Sequence, residues 1–406
     1  MKNKALLKKV EVAKAQPRDW VATARSLAPL IESEVPVSDG LRSMSPTVVD
    51  ALKETELFWM LAPTEVGGGG CGYRELIEVI EELSNADCSV GWSFMANSEC
   101  IAAAGAYLGD RAIDQMFGGR ERPIVAGMFG PGGKVEVVDG GYRASGKFSY
   151  GSGCGHANWF GAGFMVKEGD GIRQLPHGPQ VQVCFIPRDM VDVKDGWDVA
   201  GLSGTGSFDY DVPEQFVAED FTMERVTAIP RRGAALFTIG FQPIVAAGHA
   251  GVVLGAMKRA LQEVGRIGAE KKRVGYPGLI GDYPTFMQEF SDYEASYMAA
   301  RGYVLQVFDE AEAAAIANRP LTAYQKARFR QVTSWVHKVA ADVVSGCYKW
   351  SGSEGFRNST PIGRVFRDTF VAVNHLFVDP VHLVHSAPSI MEYYRNGCPR
   401  ALPVQG

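Results

Sequence analysis

The chain is 406 residues long, 46% hydrophobic and 10% aromatic, with a formal net charge of -5. That length exceeds a single packed core, so two or three subdomains are expected. The acidic balance excludes a nucleic-acid binder, which needs a basic stripe; the densest basic cluster, Lys271-Lys272-Arg273, reads as a solvated helix face.

Residues 1–120 read as an N-terminal helical domain. The opening Met-Lys-Asn-Lys-Ala-Leu-Leu-Lys-Lys lacks the apolar run of a secretory signal and leads into a mixed-charge helix expected over Val10–Ser33. Ser45-Pro46 is a capping residue followed by a first-turn proline, with Val48, Val49, Leu52 and Leu57 turned inward. The glycine-rich loop Pro63–Gly70 lacks the Gly-Lys-Ser/Thr ending of a phosphate-binding loop and reads as a helix connector. Tyr73, Leu76, Ile77, Ile80 and Leu83 form a helical stripe. Asn85–Trp92 then turns into a long helix of small residues ending near Leu108.

Over residues 121–226 the period changes to two. Val135–Val138, the turn Asp139-Gly140-Gly141 and Tyr142–Ala144 form a hairpin. Further strands are expected at 161–167, 181–186 and 207–212, with Asp211-Val-Pro213 closing a small central barrel or sandwich. Gly146–Trp159 places an aromatic, a hydroxyl residue and several glycines in one strand leaving the hairpin. That pattern suits either a bulged strand or a flat ligand lying against backbone.

Residues 227–406 are helical again, with small residues over 246–256 and helices near 280–317, 322–348, 361–377 and 388–395. They read as a four-helix bundle with a tail. His249 and His337 read as core histidines. Arg364, Asp368, Val371 and His375, spaced by four, three and four, share one helical face. Seven cysteines (71, 88, 100, 154, 184, 347, 398) are scattered without a CxxC pair, as expected of free thiols in a reducing cytoplasm, and no metal site is expected. No apolar run reaches the roughly 18 residues of a membrane span.

This order of helices, β-barrel and four-helix bundle, an α+β fold that is mainly α, resembles the acyl-CoA dehydrogenase fold from about Ser45 to about Asn396. Gly201–Pro213 with its Val-Pro ending, the Gly248–Gly255 helix, the Arg367-Asp368 pair, and Gly155 with Ala157-Asn158-Trp159 carry the resemblance. It implies a bound flavin. Tyr150 would lie against the isoalloxazine ring, and Ser152, beside Gly153, at flavin N5. Backbone groups of Met128 and Phe129 would meet the pyrimidine edge, Arg273 would reach a phosphate, and Arg367 and Asp368 would also serve the cofactor.

Dehydrogenases of the family abstract a substrate proton with a carboxylate just after the Arg-Asp pair. Here that segment is Asn374-His375-Leu376-Phe377, and Leu376, in the carboxylate's place, cannot accept a proton. A base on another helix, as in some members, stays open. Gly146–His156, Ala86–Trp92 and a histidine seven residues after Asp368 more closely resemble the oxygenase components of two-component flavin monooxygenases. Those relatives act on p-hydroxyphenylacetate, secosteroid phenols and dibenzothiophene.

The resemblance implies reduced FMN or FAD delivered by a separate NAD(P)H-flavin reductase. O2 would add at flavin C4a, with Ser152 and His375 stabilising the hydroperoxide, and an aromatic or polycyclic substrate would be hydroxylated by a homotetramer. Trp92, Phe94, Cys100 and His156, with Met128 and Phe129, would line the substrate pocket. Cys100 stands where phenol hydroxylases place a histidine, so an indole, fused aromatic, thioether or amine suits the pocket better than a phenol. The rival readings are an acyl-CoA dehydrogenase or related flavin oxidase, and a catalytically silent scaffold.

Overall fold

Capping chemistry sets the first helices of the computed structural model, which describes residues 18–233 and 235–397. α1 (Trp20–Ser26) starts at Asp19, whose carboxylate accepts from the Ala22 N–H. α2 (Ala28–Leu41) follows after Leu27. The single helix expected over Val10–Ser33 is thus two helices where it is described, and residues 10–17 lie outside the described residues. α3 (Pro46–Glu54) starts at Ser45, which caps the Val48 N–H, and its inward residues are buried as expected. The apolar stripe of α4 (Tyr73–Ala86) is fully buried. α5 (Cys88–Tyr107) begins at Asp87, which accepts from the Val90 N–H, and is buried around almost its whole circumference. α6 (Asp110–Phe117) ends this helical region.

β1 (Val125–Val138) and β2 (Gly141–Gly151) form the expected hairpin, with Gly140 at φ 72° in the turn. β3 (Trp159–Glu168) runs parallel to β1, across a register shift between Met128 and Gly133. The short strands β4 (Gly171–Ile172), β5 (Gln174–Leu175) and β6 (Gly178–Pro179) precede β7 (Val181–Pro187). β8 (Asp192–Val193), β9 (Phe208–Ala218) and β10 (Thr222–Glu224) complete the region. The main sheet has the order β10-β7-β3-β1-β2-β9-β8, with β4 beside β3. Where a barrel or sandwich was expected, this hydrogen-bonded path is open at β10 and β8 among the described residues. β9 also continues past Pro213, the expected end of the region. A register shift against β2 falls between Val212 and Gln215, which accommodates a residue without an amide donor.

α7 (Gln242–Glu270), α8 (Pro284–Ile316), α9 (Ala323–Ser351), α10 (Pro361–Ala372) and α11 (Val381–Arg395) form the C-terminal helical region. α7 is long and apolar enough by composition to cross a membrane, but 83% of its apolar window is buried inside the protein, as in a core helix. Gly251 and Gly255 let α4 approach it: a Cβ at either would collide with α4. α10 stops at Ala372, short of the expected 377, and the Asn374 amide donates to the Phe370 carbonyl at the helix end. The six described cysteines are buried and free; Cys398 lies outside the described residues.

Candidate functional site: a hydroxyl chain meeting three imidazoles

The end of β2 is where the sheet meets α5. Tyr150 (φ 66°) and Gly153 (φ 74°) both adopt left-handed backbone, which turns Ser152 inward and leaves Tyr150 exposed. The Trp92 indole N–H donates to Ser152 Oγ at 3.0 Å. Ser152 Oγ lies 2.8 Å from Ser207 Oγ, which lies 2.7 Å from Thr205 Oγ1. Thr205 Oγ1 donates to the Leu202 carbonyl at 2.8 Å.

A carbonyl only accepts, and that fixes every direction in the chain. Thr205 gives its proton to Leu202, so it accepts from Ser207; Ser207 therefore accepts from Ser152. Ser152 Oγ is left with one lone pair and no proton to offer. The Leu202 N–H in turn donates to Asp368 Oδ1 at 2.6 Å, which ties the chain to α10.

On its other side Trp92 meets histidines. Its ring is edge-on to His249 (centroids 5.0 Å) and His375 (5.5 Å), and those two imidazoles are 4.5 Å apart. His337 lies 6.2 Å from His249, and Phe377 stacks on His249 at 5.6 Å. His375 Nδ1 accepts from the Phe377 N–H at 3.2 Å, so the proton of the neutral ring sits on Nε2. His337 Nδ1 donates to the Thr333 carbonyl at 2.7 Å. Burial lowers His375 and His337 to about 4 and His249 well below its ordinary value, so all three are neutral near neutral pH. His249 and His337 are buried, as expected of core histidines, but they are not satisfied ones. His249 Nδ1 and His337 Nε2 have no hydrogen-bond partner among the described residues.

His375 does not share a helix face with Arg364 and Asp368, because α10 has already ended. Arg364 instead binds Asp87 at 2.6 Å, Asp39, and Asp368 at 3.8 Å. Three carboxylates converge on one guanidinium, and burial pushes Asp368 up to about 7. Leu376 is 80% exposed, while its neighbours His375 and Phe377 turn inward.

The other expected site residues divide. Tyr150 is open, with Trp197 in edge contact at 6.3 Å. A Cβ at Gly153 would collide with the Asn97 side chain. The Met128 N–H is already bonded to Tyr210 Oη at 2.9 Å, and the Phe129 ring is packed between Phe185 and Phe241. Cys100 is buried, and burial raises its thiol.

Phe94 and His156 do not join Trp92. Two residues along a helix point to different faces; Phe94 packs on Phe58, and His156 bonds Asn97 Oδ1 at 2.9 Å with its ring 5.8 Å from Phe58. Burial lowers His156 to about 3. Arg273 donates to the Lys349 and Trp350 carbonyls at the end of α9, and Arg367 to the Asn358 carbonyl, so neither side chain touches the Ser152 cluster.

One residue escaped the sequence reading. Glu99 is 4% exposed, its Oε1 has no partner among the described residues, and burial holds its carboxyl well above the usual carboxylate range. It lies against Gly248, next to His249, where a Cβ would collide with its oxygen. The available signal was that Glu99 is the one charged residue in the 20 residues of α5.

A helical domain, a central sheet and a helical bundle meeting at such a site define an acyl-CoA dehydrogenase-like flavoprotein. The chain belongs to the acyl-CoA dehydrogenase family: residues 22–117 match its N-terminal domain and residues 247–380 its C-terminal domain. It is 28% identical over 345 residues to an indole-3-acetate monooxygenase of Pseudomonas putida, covering 84% of this chain and 86% of that one. It is 26% identical over 380 residues to the flavin-dependent monooxygenase oxygenase subunit HsaA of Mycobacterium tuberculosis, covering 89% and 92%. The fold also matches that of XiaF from Streptomyces sp., solved in complex with FADH2 and glycerol, with a TM-score of 0.82 at 21% identity, covering 94% and 96%.

Proposed function

We propose that this protein is the oxygenase component of a two-component flavin-dependent monooxygenase. It accepts reduced FMN or FAD from a separate NAD(P)H-flavin reductase and hydroxylates an aromatic or polycyclic substrate. The observation that carries this reading is the ordered hydroxyl chain. It leaves Ser152 Oγ an acceptor, which matches the N–H that a reduced flavin bears at N5 and an oxidised flavin lacks. The open ring of Tyr150 offers a face to a flat ring system, so the donor set fits the cofactor.

When bound, reduced flavin supplies the electrons that activate O2, one oxygen atom passing to the substrate and the other leaving as water. His375 presents its Nε2 proton as a hydrogen-bond donor to that oxygen. The neutral imidazoles, Trp92 and Phe377 give an uncharged, largely apolar wall that keeps water from the reacting atoms. A homotetramer belongs to the same reading, supported by the apolar side chains that α11 leaves exposed at Val384, Met391 and Tyr394.

The buried carboxyl of Glu99 favours the rival reading, an acyl-CoA dehydrogenase with its base on another helix. Anaerobic protein loaded with photoreduced FMN or FAD, then given 18O2 and a panel of aromatic compounds, should yield 18O-labelled product. Reduction of an electron-acceptor dye by acyl-CoA substrates, with no label incorporated, would establish the dehydrogenase instead.

A further inference from the structure

His156, expected in the substrate pocket, instead lines a groove of about 610 Å³ between α3 and the start of β9. Small-molecule sites span roughly 300–1,000 Å³, so the groove has the room for one. No residue of the hydroxyl chain or of the imidazole cluster lines it, which separates it from the Trp92 pocket. Met44, Val49 and Phe208 give it an apolar wall.

Two cations stand at the His156 end. Burial lowers His156 to about 3, and Lys53 and Arg188 add to that by disfavouring a charged imidazole, which places both beside it. Neither has a carboxylate partner among the described residues. Lys53 forms no ion pair there; Arg188 spends Nη1 on the Cys154 carbonyl and lies over the Phe160 ring. A third cation, Lys194, is already held by Asp211 at 3.3 Å. Asp50 and Asp195 also line the groove, but both are exposed, whereas Lys53 and Arg188 are half-buried. Solvent and salt therefore screen the acids more than the cations.

The wall comes from the two segments that carry the hydroxyl chain. Gly155 and His156 follow Ser152 in the turn after β2, and Phe208 follows Ser207 and pairs with Gly151. The Asn97 amide donates to the Val125 carbonyl, so its Oδ1 accepts from His156 Nε2. Asn97 in turn packs on Gly153, where a Cβ would collide with its side chain. A molecule seated against His156 and Phe208 thus bears on the backbone that positions Ser152.

We propose that this groove is an effector site for a small monocarboxylic acid with an apolar body, and that its occupancy alters the affinity for flavin. Lys53 and Arg188 hold the carboxylate, and the body lies against Phe208. Asp50 and Asp195 disfavour a second carboxylate. The site stands apart from the oxygen chemistry proposed above and needs only that the protein binds flavin.

The test uses benzoate, its neutral isostere benzamide, and the dianion terephthalate. Each is titrated calorimetrically, without oxygen, into the full-length protein saturated with reduced flavin. Benzoate should bind at least about tenfold more tightly than benzamide, the worth of one charge-assisted hydrogen bond, and more tightly than terephthalate. Lys53→Met removes a half-buried side chain that holds no partner on α3, so the fold is spared; benzoate should then bind no better than benzamide. Lys53→Arg should retain most of the preference. Conversely, saturating benzoate should change the Kd for reduced flavin at least about fivefold, and Lys53→Met should abolish that change.

Benzoate binding no better than benzamide to the unaltered protein, or a preference that survives Lys53→Met, overturns the site. A flavin affinity that benzoate leaves unchanged overturns its role as an effector site. If the oxygenase reading alone fails, the benzoate preference and its effect on flavin persist in a protein that puts no 18O into product. If the groove alone fails, labelled product forms without any Lys53-dependent binding.

Discussion

Ser152 and His375 both contact Trp92, and each has one defined hydrogen-bonding role. Ser152→Ala removes an acceptor, so affinity for reduced flavin should fall about three- to tenfold while affinity for oxidised flavin stays put; equal losses for both forms in anaerobic titrations would contradict the direction of the hydroxyl chain. His375→Ala removes a donor, so O2 consumed per hydroxylated product should rise several-fold. His375→Gln, which keeps an N–H, should partly restore coupling, as oxygen-electrode and product assays would show.

His337 ties pH to stability. Its pKa is about 4 in the fold against 6.5 when exposed, so the unfolded chain binds a proton that the fold refuses as pH drops from 6.5 to 4. The stability lost over that window is on the order of 3 kcal/mol, is absent above pH 6.5 and saturates below 4. His249 and His375 act in the same sense, whereas Asp368 and Glu99, both raised by burial, act in the opposite one. His337→Gln, whose amide can still donate to Thr333, should therefore flatten the dependence of the urea midpoint between pH 7 and 4.5; an unchanged slope would mean that His337 is protonated in the fold.

At the scale of the element, α7 is defined by where it carries no side chain. A methyl at Gly255 would strike the α4 backbone at Glu81 and Asn85, whereas one at Gly265 meets only Phe290 at 3.7 Å. Gly255→Ala should destabilise by about 1–3 kcal/mol and Gly265→Ala should stabilise by up to about 1 kcal/mol, both read by chemical denaturation. Elements were legible in the sequence wherever a local pattern governed them: the Ser45 cap, the α4 stripe, the Asp139-Gly140 turn. The end of α10 was not, because five helical residues beyond Ala372 would have looked as plausible as the Asn374 stop. That error put His375 on the wrong face, and Phe94 was misplaced by ignoring the rotation between residues two apart on α5. The three-imidazole cluster is assembled from α7, α9 and the segment after α10, so no single periodicity could reveal it.

For the whole molecule, the order of helical, sheet and helical regions was readable because each region changes its hydrophobic period. Whether the sheet closes on itself was not, since pairing between distant strands leaves no local mark. The exposed apolar residues of α11 lead to a prediction at this scale: sedimentation should give a tetramer, and Met391→Glu with Val384→Glu should shift it toward smaller species. A monodisperse monomer of the unaltered chain would refute that assembly.

The indole of Trp92 donates to Ser152 and stands edge-on to two imidazoles, so it is also an optical probe built into the pocket. A ligand that donates to the free lone pair of Ser152 makes that oxygen a shared acceptor, which weakens the indole N–H bond and alters its emission. The difference spectrum between the native chain and Trp92→Phe would then follow cofactor arrival in real time, before any turnover, without an external label.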